Sequence, residues 1–211
     1  MLGVKSYKTA WSWLHKFRRA MVRPGRDKLS GLVEVDESYV GGEETGGRGR
    51  FTEKKAIVAV AVEVKEKGYG RVRLRHIPDV KTDTLGQFVT EVVERGATVH
   101  TDGWTGYRNL AKLGYTHRVT NQSKSSDPAH VLMPGVRRIA SLLKRWLLGT
   151  CQGAVSNDHL NYYLDKYTFR FNRRSSMSRG LLFYRLLEQA VQTYHTPTHA
   201  LFKGTGRGAR A

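Results

Sequence analysis

The sequence predicts a mixed α/β domain with a basic helix before it and further helices after it. Three observations lead there. Segments 32–40, 55–64 and 68–77 follow one another with strand patterning and no helix between them. A helical segment then alternates with two short strands, at 97–102 and 115–120. From 136 onward apolar residues recur only at helical spacing.

Residues 6–22, SYKTAWSWLHKFRRAMV, read as the first helix, with Ser6 as its cap. Tyr7, Trp11, Leu14, Phe17 and Met21 give an apolar stripe, and Lys8, Lys16, Arg18 and Arg19 lie off it. Pro24 and Gly25 break the pattern, so 23–30 reads as a linker. LVEVDESYV (32–40) is the first strand. The Gly-rich run 41–51 is a flexible loop; no Gly-Lys-Ser/Thr follows, so it is not a phosphate-binding P-loop. KAIVAVAVEV (55–64) is apolar almost throughout and suits the middle of a sheet. In 68–77, Val72, Leu74 and His76 alternate with Arg71, Arg73 and Arg75, the pattern of a strand with one wet face. These three strands form an antiparallel meander. Residues 81–96 are a helix capped by Thr82 or Asp83 and ended by Gly96, with Leu85, Phe88, Val89 and Val92 facing the core. ATVHTD (97–102) is a strand, GWTGYRNLAKLG (103–114) a short helix and YTHRVT (115–120) a fifth strand, before a polar loop over 123–134. In the helix at 136–149, Val136, Ile139, Ala140, Leu143, Trp146 and Leu147 form the stripe. The next helix starts at Ser156 and buries Leu160, Tyr163, Leu164, Tyr167 and Phe171; another starts near Ser178. The Gly- and Arg-rich end reads as a disordered basic tail.

Charge narrows the function. The net charge of +18 and pI near 10.3 point to a polyanionic partner, most often nucleic acid. Residues 1–30 carry +7, residues 31–136 only +1, and residues 137–211 carry +10. A nearly neutral centre between two basic segments is unlike a ribosomal-type protein. One cysteine, Cys151, excludes a disulfide framework or a Cys-rich zinc site within the chain. With no signal-peptide h-region and no apolar run of roughly 18–20 residues, the expectation is a cytoplasmic protein with no membrane partner.

The chemistry sits in acids where a strand should be apolar. Asp36 lies within the first strand, and burying an unpaired carboxylate costs several kcal/mol, roughly 3–5 by mutation. A salt bridge or a strand end open to water would relieve it; so would a cation. Asp102 ends the fourth strand. If the two strands are neighbours, the carboxylates converge on a site for a hard, oxygen-loving ion such as Mg²⁺. Glu37 alternates to the opposite face and reads as a surface or salt-bridging acid.

The stretches GLVEVDESYVGG, RVRLRHIPDV, VHTDGWTGY, ASLLKRWLLGT and YLDKYTFRFNRR together resemble the catalytic part of bacterial insertion-sequence transposases of the DDE class, the ISXO2-like group. The resemblance extends over most of residues 31–191. It implies an RNase H-like core: a mixed five-stranded sheet flanked by helices. It also implies that Asp36 and Asp102 are the first two metal-binding carboxylates, holding Mg²⁺ or Mn²⁺. The basic first helix resembles the last helix of the helix-turn-helix that precedes such cores, so the chain reads as N-terminally truncated. The implied organisation is a remnant of that DNA-binding module at 1–30, the catalytic domain at 31–194 and the tail at 195–211. The implied partners are DNA, both element ends and target, and further copies of the chain in a homodimer or larger complex, in the bacterial cytoplasm at the nucleoid.

The third carboxylate of the family falls at Arg137, thirty-five positions past Asp102. Arginine is cationic and has no lone pair to give a metal. Lys144 matches the family's basic residue seven positions later. Positions 137, 141, 144 and 148 share one helix flank, so Arg137 and Lys144 face the same side. Three readings stay open: a catalytically inactive DNA-binding remnant, a phosphate-binding role for Arg137, or replacement by Asp127 or His130 from the loop. A host RNase H-like nuclease is a further alternative. Phosphate contacts are expected from Lys8, Lys16, Arg18, Arg19, Lys144, Arg145, Arg170, Arg173, Arg174 and Arg179. Trp104 reads as core packing rather than a base-stacking platform, and His100 and His117 as satisfied strand residues.

Overall fold

The computed structural model describes residues 3, 6–23, 25–41, 55–120, 132–151 and 155–202. The chain divides into two compact units, one of residues 27–155 and one combining 1–26 with 156–211.

The first unit is built on five strands: β1 (Leu32–Val40), β2 (Ala56–Val64), β3 (Tyr69–Ile77), β4 (Thr98–Asp102) and β5 (Thr116–Thr120). Their order across the sheet is β3-β2-β1-β4-β5. β1, β2 and β3 form the expected antiparallel meander, and β4 and β5 add in parallel. This is the mixed, helix-flanked sheet of the RNase H-like reading. Its cause is legible in β2, where six successive residues, Val58 to Glu63, leave almost no surface exposed; only a central strand covered on both faces tolerates that.

Helix α2 (Thr82–Val92) covers one face, where Val33, Val35, Ala59 and Ala61 meet Leu85, Phe88 and Val89. Helix α3 (Pro134–Cys151) lies against β1 and β2 and buries Val136, Ile139, Leu143 and Leu147. Because side chains alternate along a strand, even-numbered residues of β1 face away from the α2 core. Glu34, Asp36 and Ser38 are these residues.

Several local expectations are revised. The segment 23–30 is more than a linker: Leu29 is fully buried and bridges in parallel to Val93, exchanging backbone bonds with Val92 and Glu94 at 2.8 Å. That bridge pulls Val93 into extended backbone and ends α2 before Gly96. Neither Thr82 nor Asp83 caps α2; Asp79 accepts from the Lys81 amide and the Thr84 hydroxyl instead. Residues 103–114 form a 3-10 turn at Thr105–Tyr107 followed by further i→i+3 bonds, not an α-helix. Gly106 belongs to this tight turn, since a Cβ there would sit 2.7 Å from the Val80 carbonyl oxygen. The arginine face of β3 is only partly wet. Arg73 is 5% exposed and donates to the Asp27 carbonyl, Arg71 clasps Glu63, and Arg75 pairs with Glu91 of α2.

The second unit is helical: α1 (Tyr7–Ala20), α4 (Asn157–Asn172), α5 (Arg179–Gln192) and the short α6 (Thr198–Phe202), with α1 packed on all three others. The apolar stripe read along α1 is not its buried face. Ser12, His15 and Arg18 are buried, whereas Tyr7 and Leu14 stand exposed. The inward flank is held by rings: His15 packs at 3.9 Å from Trp11 and 4.9 Å from Tyr162, centroid to centroid. In α4, Tyr162 and Phe169 are buried, while Tyr163 and Phe171 are half-buried. Within the stretch read as a tail, Leu201 of α6 is fully buried.

The Glu63–Arg71 clasp generates a pH prediction. Burial pushes the Glu63 carboxyl up, but hydrogen bonds from Arg71, its backbone amide and the Ser30 amide outweigh that and hold it below the ordinary glutamate range. A depressed carboxylate contributes stability above its unfolded pKa, about 4.3, and loses it as pH falls through the folded value. Glu63→Gln therefore flattens the acid side of the stability curve between about pH 5 and pH 3. Glu63→Ala costs about 2 kcal/mol at pH 7, a figure reduced because Arg71 keeps contact with water. Urea melts of parent and variants across that range measure both.

Candidate metal and phosphate site

The site begins where two strands part. β1 and β4 pair in parallel through Leu32↔Thr98, Val33↔Val99 and Glu34↔His100, and there the ladder stops. Asp36 and Asp102 each lie two residues beyond that last pair, in matching register and on the same face. β1 stays paired to β2 as far as Val40, and β4 to β5 as far as Asp102. The carboxylates thus project from two anchored strands into the gap that opens between them. Crevices at the carboxyl ends of diverging parallel strands are where open α/β sheets place their ligands.

Carboxylate oxygens of Asp36, Glu37 and Asp102 lie within 4.8 Å of one another. This cluster brings together the two aspartates singled out from sequence, and it corrects the reading of Glu37. Strict alternation would send Glu37 away. Instead its amide donates to Asp36 Oδ1 at 2.8 Å and its side chain also bonds Asp36. The reason lies in the ladder: on the β4 side β1 has no partner past Glu34, so a long side chain there can turn into the gap. A glutamate directly following an aspartate inside an otherwise apolar strand is the only sequence signal that could have shown this.

The electrostatics are those of a cation site. Burial raises the Asp36 carboxyl above the usual aspartate value, hydrogen bonds from Glu37 oppose it, the Asp102 charge adds to it, and the Arg137 charge works against it. Asp102 accepts the Trp104 amide at 3.0 Å, which fixes its orientation. The donors are all carboxylate oxygens, a set that suits a hard divalent ion. The acidic cluster is therefore positioned to bind a metal ion.

Beside it, α3 supplies the opposite charge. Asp36, Glu37, Arg137, Ser141 and Lys144 line one cleft of about 410 Å³, as the shared flank of 137, 141 and 144 predicts. Arg137 and Lys144 are exposed to solvent on that flank, as is Arg145 elsewhere on the helix. Asp127 and His130, the candidate replacement ligands, fall outside the described residues.

The other cations are distributed unevenly. Lys8 is exposed and Lys16 half-buried. Arg18 turns inward, its guanidinium 4.3 Å from the Tyr163 ring centroid, and Arg19 donates to the Thr196 hydroxyl. Arg170 is exposed; Arg173 and Arg174 lie over the rings of Phe169 and Phe171, each at 4.0 Å. Arg179 opens α5. Trp104 packs against the core and donates to the Val80 carbonyl, and His100 and His117 bond Thr120 and Thr101 at 2.7 and 2.8 Å, as expected. Among the described residues no helix is long and apolar enough to cross a membrane.

A family profile described as the ISXO2-like transposase domain matches residues 28–172. Comparison with curated proteins returns no match. Among solved structures, the catalytic core domain of BIV integrase is 19% identical, with a TM-score of 0.45 over 78% of this chain and 99% of that one. A chain of the pre-cleavage Mos1 transpososome is 11% identical, with a TM-score of 0.33 over 87% of this chain and 64% of that one. A chain of the Mos1 strand transfer complex gives 11%, 0.32, and 92% and 65%. The chain thus spans less than two thirds of the Mos1 chains.

Because the Asp36 value is raised in the fold, its contribution to stability is present at low pH and is lost as pH rises through the folded value. In EDTA at neutral pH, Asp36→Asn therefore melts higher than the parent. Mn²⁺ at about 100 times its Kd raises the parent Tm by roughly 5–10 °C, and leaves Asp36→Asn and Asp102→Asn almost unmoved. Calorimetric scans with and without the ion check both.

Proposed function

Because the chain belongs to the ISXO2-like transposase family, we propose that it breaks and rejoins DNA phosphodiesters at the ends of an insertion sequence. In the first reaction water attacks phosphorus, the bond to the 3′ oxygen breaks, and the products are a 3′-hydroxyl and a 5′-phosphate, the proton of water leaving to solvent or the departing oxygen. In the second, that hydroxyl attacks a phosphodiester of target DNA; a new bond to phosphorus forms and the target's own 3′ oxygen leaves. The observation that carries this reading is the cluster of three convergent carboxylates, two of which, Asp36 and Glu37, line one cleft with the cations Arg137 and Lys144.

Asp36 and Asp102 hold the metal, Mg²⁺ or Mn²⁺, and Glu37 closes the third side. A divalent cation there supplies charge that makes an attacking oxygen more acidic and stabilises a leaving one. Lys144 contacts a non-bridging phosphate oxygen, and Arg137, which cannot be a ligand, makes a charge-assisted contact of the same kind. The outlying cations Lys8, Lys16, Arg145, Arg170, Arg173, Arg174 and Arg179 hold the backbone of DNA, as the charge of +18 suits; the buried setting of Arg18 and the bond from Arg19 to Thr196 give those two a smaller share. Joining two element ends calls for two such sites, hence a homodimer or larger complex, working on DNA in the bacterial cytoplasm.

Arg137 also favours a second reading, a DNA-binding remnant that no longer cuts. Supercoiled plasmid incubated with Mg²⁺ or Mn²⁺ separates the two. The expected outcome is nicking that falls by about 10²-fold or more in Asp36→Ala and Asp102→Ala, an interaction worth several kcal/mol. Salt-sensitive binding with no nicking in either ion supports the remnant. Faster nicking by Arg137→Glu shows that the missing carboxylate limits the rate. Preferential cutting of an RNA–DNA hybrid in the same assay points instead to a host nuclease.

A further inference from the structure

Glu34 is as unexpected in a buried strand as Asp36, and no reading so far gives it a task. It is 3% exposed and lies two residues before Asp36 on the same face of β1. Among the described residues no lysine or arginine pairs with it. Its partners are two backbone amides in the first turn of α3, Val136 at 2.9 Å and Gly135. The first amides of a helix have no partner within it, and they carry the positive end of its dipole. A buried carboxylate against them satisfies both at once.

The sequence of that turn follows from the contact. Pro134 starts the helix, where a missing N–H costs nothing. Gly135 comes next, although glycine disfavours helix, because a Cβ there would stand 2.7 Å from Glu34 Oε2 and 2.9 Å from the Tyr69 ring. Val136 then enters the core. From that point helical geometry alone carries Arg137, Ser141 and Lys144 down one flank to the cleft they share with Asp36. A slip of one residue at the start would turn the flank by about 100° and take both cations away from the acids.

We propose that Glu34 is a positioning residue: it fixes the start of α3 and thereby aims Arg137 and Lys144 at the carboxylate cluster. This rests on the proposed function only for what those cations do at the site. One strand therefore sets both halves of it, the metal side through Asp36 and the phosphate side through Glu34.

The test uses the full chain with Glu34→Gln, which keeps one amide oxygen as acceptor, and Gly135→Ala, which crowds the same contact from the helix side. Hydrogen exchange at the Gly135, Val136 and Arg137 amides is expected to speed up at least tenfold in both variants, with β2 and α2 amides unchanged. Mn²⁺ affinity, read by electron paramagnetic resonance, is not weakened, since β2 and β5 rather than α3 anchor the backbones of Asp36 and Asp102 and a displaced Arg137 removes only a positive charge from beside the ion. Plasmid nicking falls at least tenfold in turnover. A general loss of fold would instead weaken Mn²⁺ binding and speed exchange everywhere. Unchanged exchange in the first turn of α3 in both variants overturns the proposal, as does nicking within twofold of the parent once that turn has loosened. If the parent does not nick, the strand-breaking reading fails while the exchange and Mn²⁺ data still decide the role of Glu34.

Discussion

The functional half of this protein depends on where one parallel ladder ends. β1 and β4 are bonded as far as Glu34 and His100 and no further. Had the pairing run two residues on, Asp36 and Asp102 would face each other across an ordinary sheet, with no room for a third body. Had it ended earlier, nothing would hold them in register. Continued pairing of β1 to β2 and of β4 to β5 keeps each acid's backbone fixed while the space between them stays open. Convergence of like charges, costly in itself, is imposed by strands that are anchored elsewhere.

Alternation along β1 divides labour between the two faces of the sheet. Val33 and Val35 enter the apolar core with α2, and Glu34, Asp36 and Ser38 face the other way. A single nine-residue strand is thus half core and half chemistry. The polar half survives burial because each acid has a specific answer: helix amides for Glu34, a neighbouring amide and the nearby Arg137 charge for Asp36. The cations of α3 sit at the rim and stay solvated, which leaves them free of the desolvation that a buried guanidinium would suffer.

The sheet was legible in the sequence because its signals are local and strong. The apolar run of β2 and the alternation in β3 reach the same strands in the structure, and the strand order follows from a meander plus two crossovers, one through α2 and one through residues 103–114. Asp36 and Asp102 were legible because acids in apolar strands are conspicuous. What escaped depends on contacts between distant residues. Leu29 looks like part of a linker until Val93 is beside it, and the arginines of β3 look solvated until Glu63, Glu91 and the Asp27 carbonyl meet them. Periodicity on α1 favoured Tyr7 and Leu14, but the ring contacts of His15 with Trp11 and Tyr162 decide which flank goes inward. Glu37 was misjudged for a related reason: beyond Glu34, β1 has lost β4 as a neighbour, and a long side chain there can bend into the gap beside Asp36.

The bridge between Leu29 and Val93 bears on how the sheet unit can be cut out as a separate piece. A recombinant fragment starting at Gly31, where the strand pattern begins, would strip the Val92 carbonyl and the Glu94 amide of their partners. It would also uncover the apolar pocket that Leu29 fills, and release Arg73 from the Asp27 carbonyl. The natural seam lies upstream, before Asp27, and a fragment that respects it keeps the edge of α2 sealed.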